Sequence, residues 1–237
     1  MGNINWAKKW RKFQKAFIDN QGYKTVLEGL WATAQIALFG FIIGLVLGLI
    51  VAVIKVASKK NKVLKYISKI GDVYVGFFRG TPIVVQLLLG HFLLFPILGI
   101  NLPVVIEAII IFGLNSGAYV SEIVRSGILS VDAGQMEAGR SLGLNYFQTM
   151  LRVVFPQAIK NSLPSLGNEL IALVKDTSVA SMITVIDLTN AFQLIGAGSY
   201  EYFIPYIMLA IFYLVIVMSL SLVIKLIERR LRASDKR

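Results

Sequence analysis

The chain has no cysteine and a single histidine in 237 residues. Disulfide frameworks, thiolate metal sites and cysteine nucleophiles are excluded, and one imidazole leaves little from which to build a zinc site. Charge is also scarce: 16% of residues are Asp, Glu, Lys or Arg, against about 25% in soluble domains. The sequence contains no H-E-x-x-H and no G-x-x-x-x-G-K-[ST] phosphate loop. Metalloprotease and ATPase chemistry therefore lack their defining groups, and no cysteine with one histidine leaves little for an intramembrane enzyme to use.

What is abundant is uncharged apolar sequence, with 56% hydrophobic residues. Gly29 to Ile54 runs 26 residues without a charge, and about 20 residues rising about 1.5 Å each cross a hydrocarbon core. This first predicted span carries Gly40, Gly44 and Gly48 at four-residue spacing, a small face that another helix can approach closely. The second runs from near Gly71, is interrupted at Pro82 and ends in an external turn between Pro96 and Pro103. The third covers Pro103 to Val124. The fourth, Asn161 to Ile183, is the weakest because Glu169, Lys175 and Asp176 lie within it. The fifth covers Pro205 to Ile224. The expected fold class is an all-α integral membrane protein of five transmembrane helices.

The net charge of +11 then reads as topology signalling, not as a nucleic-acid footprint. Lys55, Lys59, Lys60, Lys62, Lys65 and Lys69 follow the first span without an acid among them. Arg125, Arg140, Arg152 and Lys160 belong to the central loop, and Lys225, Arg229, Arg230, Arg232, Lys236 and Arg237 to the C-terminus. Sixteen basic residues lie inside if the N-terminus is outside, against six in the reverse orientation. The positive-inside rule selects N-out, C-in. Residues 1–22 are read as an amphipathic interfacial helix, with Trp6, Trp10, Phe13 and Phe17 on one face and Lys8, Arg11, Lys12 and Lys15 opposite. It has no apolar core or cleavage site of a signal peptide. The expected organisation is this helix, a permease domain over 23–230 with a loop at 126–160, and a basic tail at 231–237. No internal repeat is visible, so a two-fold pathway needs a second copy or a homologous partner.

Residues 126–160 are too patterned for a simple connection. Glu137-Ala138-Gly139 and the following residues to Gly143 suggest a short helix ended by glycine. Asn145 reads as the N-cap of a second helix, Tyr146 to Val154, stopped at Pro156. Within the spans, Arg79 and Glu169 each fall about 14 Å from the nearest inner lysine, close to the bilayer midplane. Thr81 and Pro82 have the form of an N-cap and first helical residue, so a restarted helix would point its amides at a carboxylate beside Arg79. Glu169 and Asp176, seven apart, share a helical face and suit an ammonium group. Such a pocket is complementary to a zwitterion. The alternative is that Arg79, Glu169, Lys175 and Asp176 simply pair to hold the spans together. His91 reads as packed or externally exposed, Glu107 as snorkelling or paired, and Glu122 with Arg125 as an interfacial pair or as orienting the loop.

The loop resembles the signature of ABC importer membrane subunits: EAA, three residues, G, nine residues, I, one residue, LP. Glu137-Ala138, Gly143, Val153 and Phe155-Pro156 match, with Gly139, Val153 and Phe155 as departures. Phe78-Arg79-Gly80-Thr81-Pro82, Ser116-Gly117-Ala118-Tyr119 with Glu122 to Arg125, and Lys175-Asp176-Thr177-Ser178 resemble the polar amino-acid permeases of the histidine, glutamine and arginine importer group. The resemblance covers about residues 22–230 and implies a type I ABC importer-like fold. It implies substrate contacts at Arg79, Glu169, Lys175 and Asp176 and ATPase coupling through Glu137, Ala138, Gly139 and Gly143. It further implies a non-ATPase permease that binds no cofactor, with ATP and Mg on two partner ATP-binding cassette subunits. The other implied partners are a second permease, homologous or identical, and an extracytoplasmic amino-acid-binding protein, in a bacterial cell membrane. A stand-alone secondary transporter and a purely structural scaffold are the competing classes; ATP hydrolysis by a copurifying partner, stimulated by an amino acid, separates them.

Overall fold

The computed structural model describes residues 5–58 and 62–234. Lys59, Lys60, Lys236 and Arg237, four of the charges used for topology, lie outside the described residues, as do the first four residues of the expected interfacial helix. Every regular element among the described residues is helical. In chain order they are α1 (Trp6–Gln14), α2 (Gly22–Ala57), α3 (Lys62–Gly80), α4 (Ile83–Leu89), α5 (Phe95–Ile97), α6 (Val104–Leu129), α7 (Ala133–Ser141), α8 (Tyr146–Thr149), α9 (Phe155–Asp176), α10 (Leu188–Ser199) and α11 (Phe203–Ser234). Three of them, α2, α6 and α11, are long and apolar enough to cross a membrane, and the broken pair α3 with α4–α5 makes a fourth if it is one span. The expected fourth span, Asn161 to Ile183, is not one α-helix: it falls on α9, which starts earlier at Phe155 and ends at Asp176, and on a 3-10 helix over Thr177–Ile183. Its charges keep α9 from being apolar enough by itself.

The helix break falls at Thr81-Pro82 as expected, but the helix restarts one residue later than the expected start at Pro82, and the Thr81 hydroxyl turns back to α3. α3 ends at Gly80, the Thr81 hydroxyl donates back to the Phe77 carbonyl, and α4 begins at Ile83. Another expected boundary is wrong. The helix after Asn145 does not stop at Pro156: a π turn over Met150–Val154 leads directly into α9. The Phe155 amide reaches back five residues to the Met150 carbonyl. That widened turn accommodates a residue with no N–H and a ring that would otherwise strike the carbonyl four back. The same solution recurs at Phe95-Pro96, where a π turn over Gly90–Leu94 precedes α5 and the Phe95 amide reaches Gly90.

The chain forms two compact units. The first comprises Met1–Gly40, Ile83–Phe112 and Ala172–Leu220; the second comprises Phe41–Pro82, Gly113–Ile171 and Ser221–Arg237.

The first unit is built on α10, which the span count did not anticipate. Its signal was in the sequence: Asp187 as N-cap, then Leu188, Ala191, Phe192 and Ile195 at i, i+3, i+4 and i+7. Asp187 is fully buried and accepts from the Thr189 and Asn190 amides, while Thr33 accepts from the Leu188 amide. Against the apolar face of α10 pack Phe13, Ala16, Val26 and Ile204. The aromatic stripe expected to lie on a lipid surface is therefore divided. Phe13 is buried in this core and stacks on Phe17, whereas Trp6 and Trp10 stay exposed. Lys9 fixes α1 to the loop before α11 through both carboxylate oxygens of Glu201, at 2.8 and 2.7 Å. In the same unit His91 pairs with Glu107, matching the paired alternative for the latter.

The second unit is organised by close contacts along the C-terminal half of α6. A Cβ on Gly44 would lie 2.8 Å from Ser116, and one on Gly48 2.6 Å from Val120. The small face expected on the first span thus seats α6 at these two glycines. Gly127 makes the same contact with α9, where Ser162 Oγ occupies the space of an absent Cβ. Ala52, Val120, Val124, Ile128, Val154 and Ala158 form the core around these contacts.

Two outcomes follow from this packing. Gly48→Leu should destabilise the protein by about 1–3 kcal/mol, the usual cost of overpacking, read as a lowered thermal midpoint in detergent; an unchanged midpoint would show that the α2–α6 contact yields. The Lys9 hydrogen bond, assisted by the Phe203 amide, holds the Glu201 carboxyl below the ordinary carboxylate range. A carboxyl depressed on folding contributes stability above its unfolded pKa, about 4.3, and loses it as pH falls through the lower folded value. Acidification through that window should release α1, reported by Trp6 and Trp10 fluorescence, and Glu201→Gln should abolish the transition.

Candidate functional site

Arg79 is the last charged side chain of α3, and two hydrogen bonds fix that turn against α6. The Tyr74 hydroxyl donates to the Leu114 carbonyl at 2.6 Å, and the Asn115 amide donates to the Phe78 carbonyl at 3.3 Å. Gly117 makes room for both neighbours, since a Cβ there would meet the Tyr74 oxygen at 2.6 Å and Leu47 at 3.1 Å. So placed, the Arg79 guanidinium lies over the Tyr119 ring, 5.4 Å from its centroid. An arginine held on an aromatic face keeps its in-plane N–H donors directed outward, toward a carboxylate.

Arg79 and Tyr119 stand at one end of a cavity of about 450 Å³. Its walls carry hydroxyl and amide groups beside Ile123 and Gly127: Ser126 on α6, Ser130 just past its end, and Asn161, Ser162 and Ser165 on α9. Sequence reasoning missed this lining. The available signal was Tyr119, Glu122, Ser126 and Ser130 at i, i+3, i+7 and i+11, a polar stripe along an otherwise apolar helix.

Glu169 occupies a neighbouring seat. Its carboxylate accepts from the Ser116 hydroxyl at 3.0 Å, one turn of α6 from Tyr119. Two of the four expected substrate residues are thus presented by the second unit through adjacent turns of one helix. Glu169 is not part of the cavity wall that Arg79 lines. Lys175 and Asp176 close α9 within the first unit, where both side chains are exposed.

Toward the end of α6 that leads into the loop, Glu122 is held from both sides. Arg125 donates through Nε at 3.1 Å and Nη2 at 2.7 Å, and Lys55 donates to the other oxygen at 3.0 Å. Lys55 also reaches Asp72 at 2.9 Å, so α2, α3 and α6 meet in one charge network. This fits the pairing reading of Glu122 and Arg125 and leaves the cavity wall there internally neutralised.

The loop forms the expected hairpin. Asp132 caps α7 by accepting from the Gly134 amide. Asn145 and Gln148 form a reciprocal capping box at α8, at 2.9 and 3.0 Å. Between the helices, the Leu144 amide reaches the Gly139 carbonyl and the Gly143 amide the Arg140 carbonyl, with Gly143 at φ +83°. This is the glycine-terminated Schellman turn that a side chain at 143 would strain. The departure at Gly139 also has a cause: a Cβ there would lie 2.5 Å from Thr149, itself fully buried. Glu137 and Ala138 face outward, beside exposed Leu142, Phe147 and Leu151.

Comparisons with known proteins agree with this architecture. An L-cystine transport system permease protein of Bacillus subtilis is 43% identical over 96% of this chain and 93% of its own length. A putative glutamine transport system permease protein of Rickettsia bellii is 40% identical over 88% of this chain and 94% of its own. The crystal structure of an amino acid ABC transporter with histidines superposes with a TM-score of 0.79 at 38% identity, covering 88% of this chain and 94% of that one. Residues 26–233 match the family described as binding-protein-dependent transport system inner membrane component. The expectation of a multi-pass ABC permease drawn from the loop and the RGTP segment is met, and the chain belongs to the binding-protein-dependent transport system inner membrane component family.

Proposed function

We propose that this chain is the translocation subunit of an ATP-driven importer of polar amino acids. The observation that carries the reading is Arg79, fixed on Tyr119 at the head of a hydroxyl-lined cavity. A zwitterion presents a carboxylate to such a guanidinium and an ammonium to a carboxylate such as Glu169. The relatives named for glutamine and cystine transport act on molecules that share those two end groups, which supports the α-amino acid as the common recognition element. Lys175 and Asp176 are proposed as substrate contacts on resemblance alone.

Energy enters through the α7–α8 hairpin in this reading. Glu137, Ala138, Gly139 and Gly143 form or support a rigid knob, with Leu142, Phe147 and Leu151 as apolar surface for a cleft on an ATP-binding cassette subunit. A rigid element transmits displacement where a mobile loop would absorb it. The chain binds no cofactor; ATP and Mg belong to two partner subunits. A second permease, identical or homologous, completes the pathway, and an extracytoplasmic binding protein delivers the amino acid. We place the assembly in a bacterial cell membrane with five spans, α9 being the fourth and α11 the fifth to cross, the N-terminus outside and the C-terminus cytoplasmic. The basic residues following α2 and along the end of α11 support that orientation.

In the reconstituted complex, Arg79→Ala and Glu169→Ala should each lower amino-acid-stimulated ATP hydrolysis about tenfold, the scale of a lost charge-assisted contact, without loss of assembly. Wild-type stimulation in both would remove the proposed site. Gly143→Val forces a β-branched residue into the left-handed region at a cost of about 1–2 kcal/mol. It should lower uptake per ATP hydrolysed while the spans stay inserted; unchanged coupling would remove the hairpin from the mechanism.

A further inference from the structure

The Arg79 cavity does not end blindly. A second cavity, of about 390 Å³, is lined by Lys160, Leu163, Pro164, Glu228 and Leu231, and it shares Ser130 and Asn161 with the first. Those two shared residues are bonded to each other: the Asn161 side-chain amide donates to the Ser130 hydroxyl at 2.9 Å. Both volumes fall in the range that accommodates a small ligand.

The helices carrying this bond are pinned beside it. Gly127 and Ser162 lie in direct contact three residues before Ser130 and one after Asn161, and Ser162 is buried with its hydroxyl committed to the Ala158 carbonyl. The backbones of α6 and α9 are therefore fixed at this level. The Ser130–Asn161 bond joins two surface side chains; the Ser130 hydroxyl also donates to the Gly127 carbonyl at 2.8 Å, so Asn161 is the partner that can leave by a χ1 rotation without moving either helix.

We propose that Ser130 and Asn161 form a side-chain latch between the Arg79 cavity and an inner binding chamber for the departing amino acid, in which Lys160 and Glu228 receive its two ends. This rests on the reading of the Arg79 cavity as the substrate site. The chemistry is graded along the path. Arg79 offers a full charge at the head. The wall beyond it offers hydroxyls, and its one carboxylate, Glu122, is already neutralised by Lys55 and Arg125. Neutral donors and acceptors hold a zwitterion weakly enough to let it leave, as passage through a pore requires. The inner chamber again carries one charge of each sign, spaced along α9 and α11. Breaking the latch costs one neutral hydrogen bond, which the carboxylate or ammonium of the substrate replaces as it passes.

The absence of cysteine allows a direct test. In the assembled transporter in vesicles, Ser130→Cys introduces one thiol in this chain, which is modified with either a methyl or a benzyl methanethiosulfonate. Relative to the same protein before modification, the benzyl adduct should lower amino-acid uptake about tenfold, about 1.4 kcal/mol in barrier, and the methyl adduct less than about twofold. Reduction with dithiothreitol should restore uptake. Uptake indifferent to the benzyl adduct, or equal loss with both adducts, would overturn the passage. Arg79→Ala in the same vesicles keeps the two readings apart. If it abolishes stimulated hydrolysis while the benzyl adduct leaves uptake intact, the site stands and the passage falls; if it leaves stimulation intact, the site falls and takes the passage with it.

Discussion

Close backbone approach along α6 is the constraint from which the rest of the second unit follows. Gly44 and Gly48 bring α2 to within van der Waals contact of Ser116 and Val120, Gly117 admits Tyr74, and Gly127 admits Ser162. In a bilayer the hydrophobic effect does not drive helices together, so association depends on such small-residue contacts and on hydrogen bonds between helices. Both are present here. The glycines set the separation, and Tyr74 and Asn115 then reach carbonyls that a wider spacing would leave out of range. The position of Arg79 is a consequence of that spacing.

The same helix determines how charge is carried. Ser116 holds Glu169, Tyr119 supports Arg79, and Glu122 gathers Lys55 and Arg125. These groups divide between the two alternatives open for intramembrane charge. The Glu122 network is a closed set in which acids and bases satisfy one another and hold helix ends together. Arg79 has a π face beneath it and a polar cavity before it, an arrangement that leaves its donors for a ligand.

Much of this was legible from residue order. Uncharged runs located α2, α6 and α11, glycine spacing marked the face that α6 occupies, and Thr81-Pro82 marked the helix break. The Gly143 turn and the Asn145 cap were readable because each motif is local, its conformation dictated by a few adjacent residues. Where reasoning failed, the cause was tertiary. Pro156 reads as a helix stop because a local rule treats proline as one, and only the preceding π turn shows how the helix continues. α10 escaped because its 12 residues are too few to register as a span, although Asp187 announces its start. Phe13 was assigned to lipid because an amphipathic stripe does not say what it packs against; α10 provides that surface. The hydroxyl-lined cavity needs two helices at once, and α6 alone shows only half of it.

The account turns on recognition of both ends of a zwitterion by the permease itself, and direct binding to the assembled permease–ATPase complex, without the external binding protein, tests that claim. Calorimetric titration with an amino acid, its decarboxylated amine and its deaminated acid isolates each end group. The account predicts measurable binding of the intact amino acid and affinity weakened about tenfold or more for either analogue, because each leaves one charged partner of the site unmatched. Equal affinity for the amino acid and the amine would contradict it, since the Arg79 guanidinium would then make no contribution to recognition.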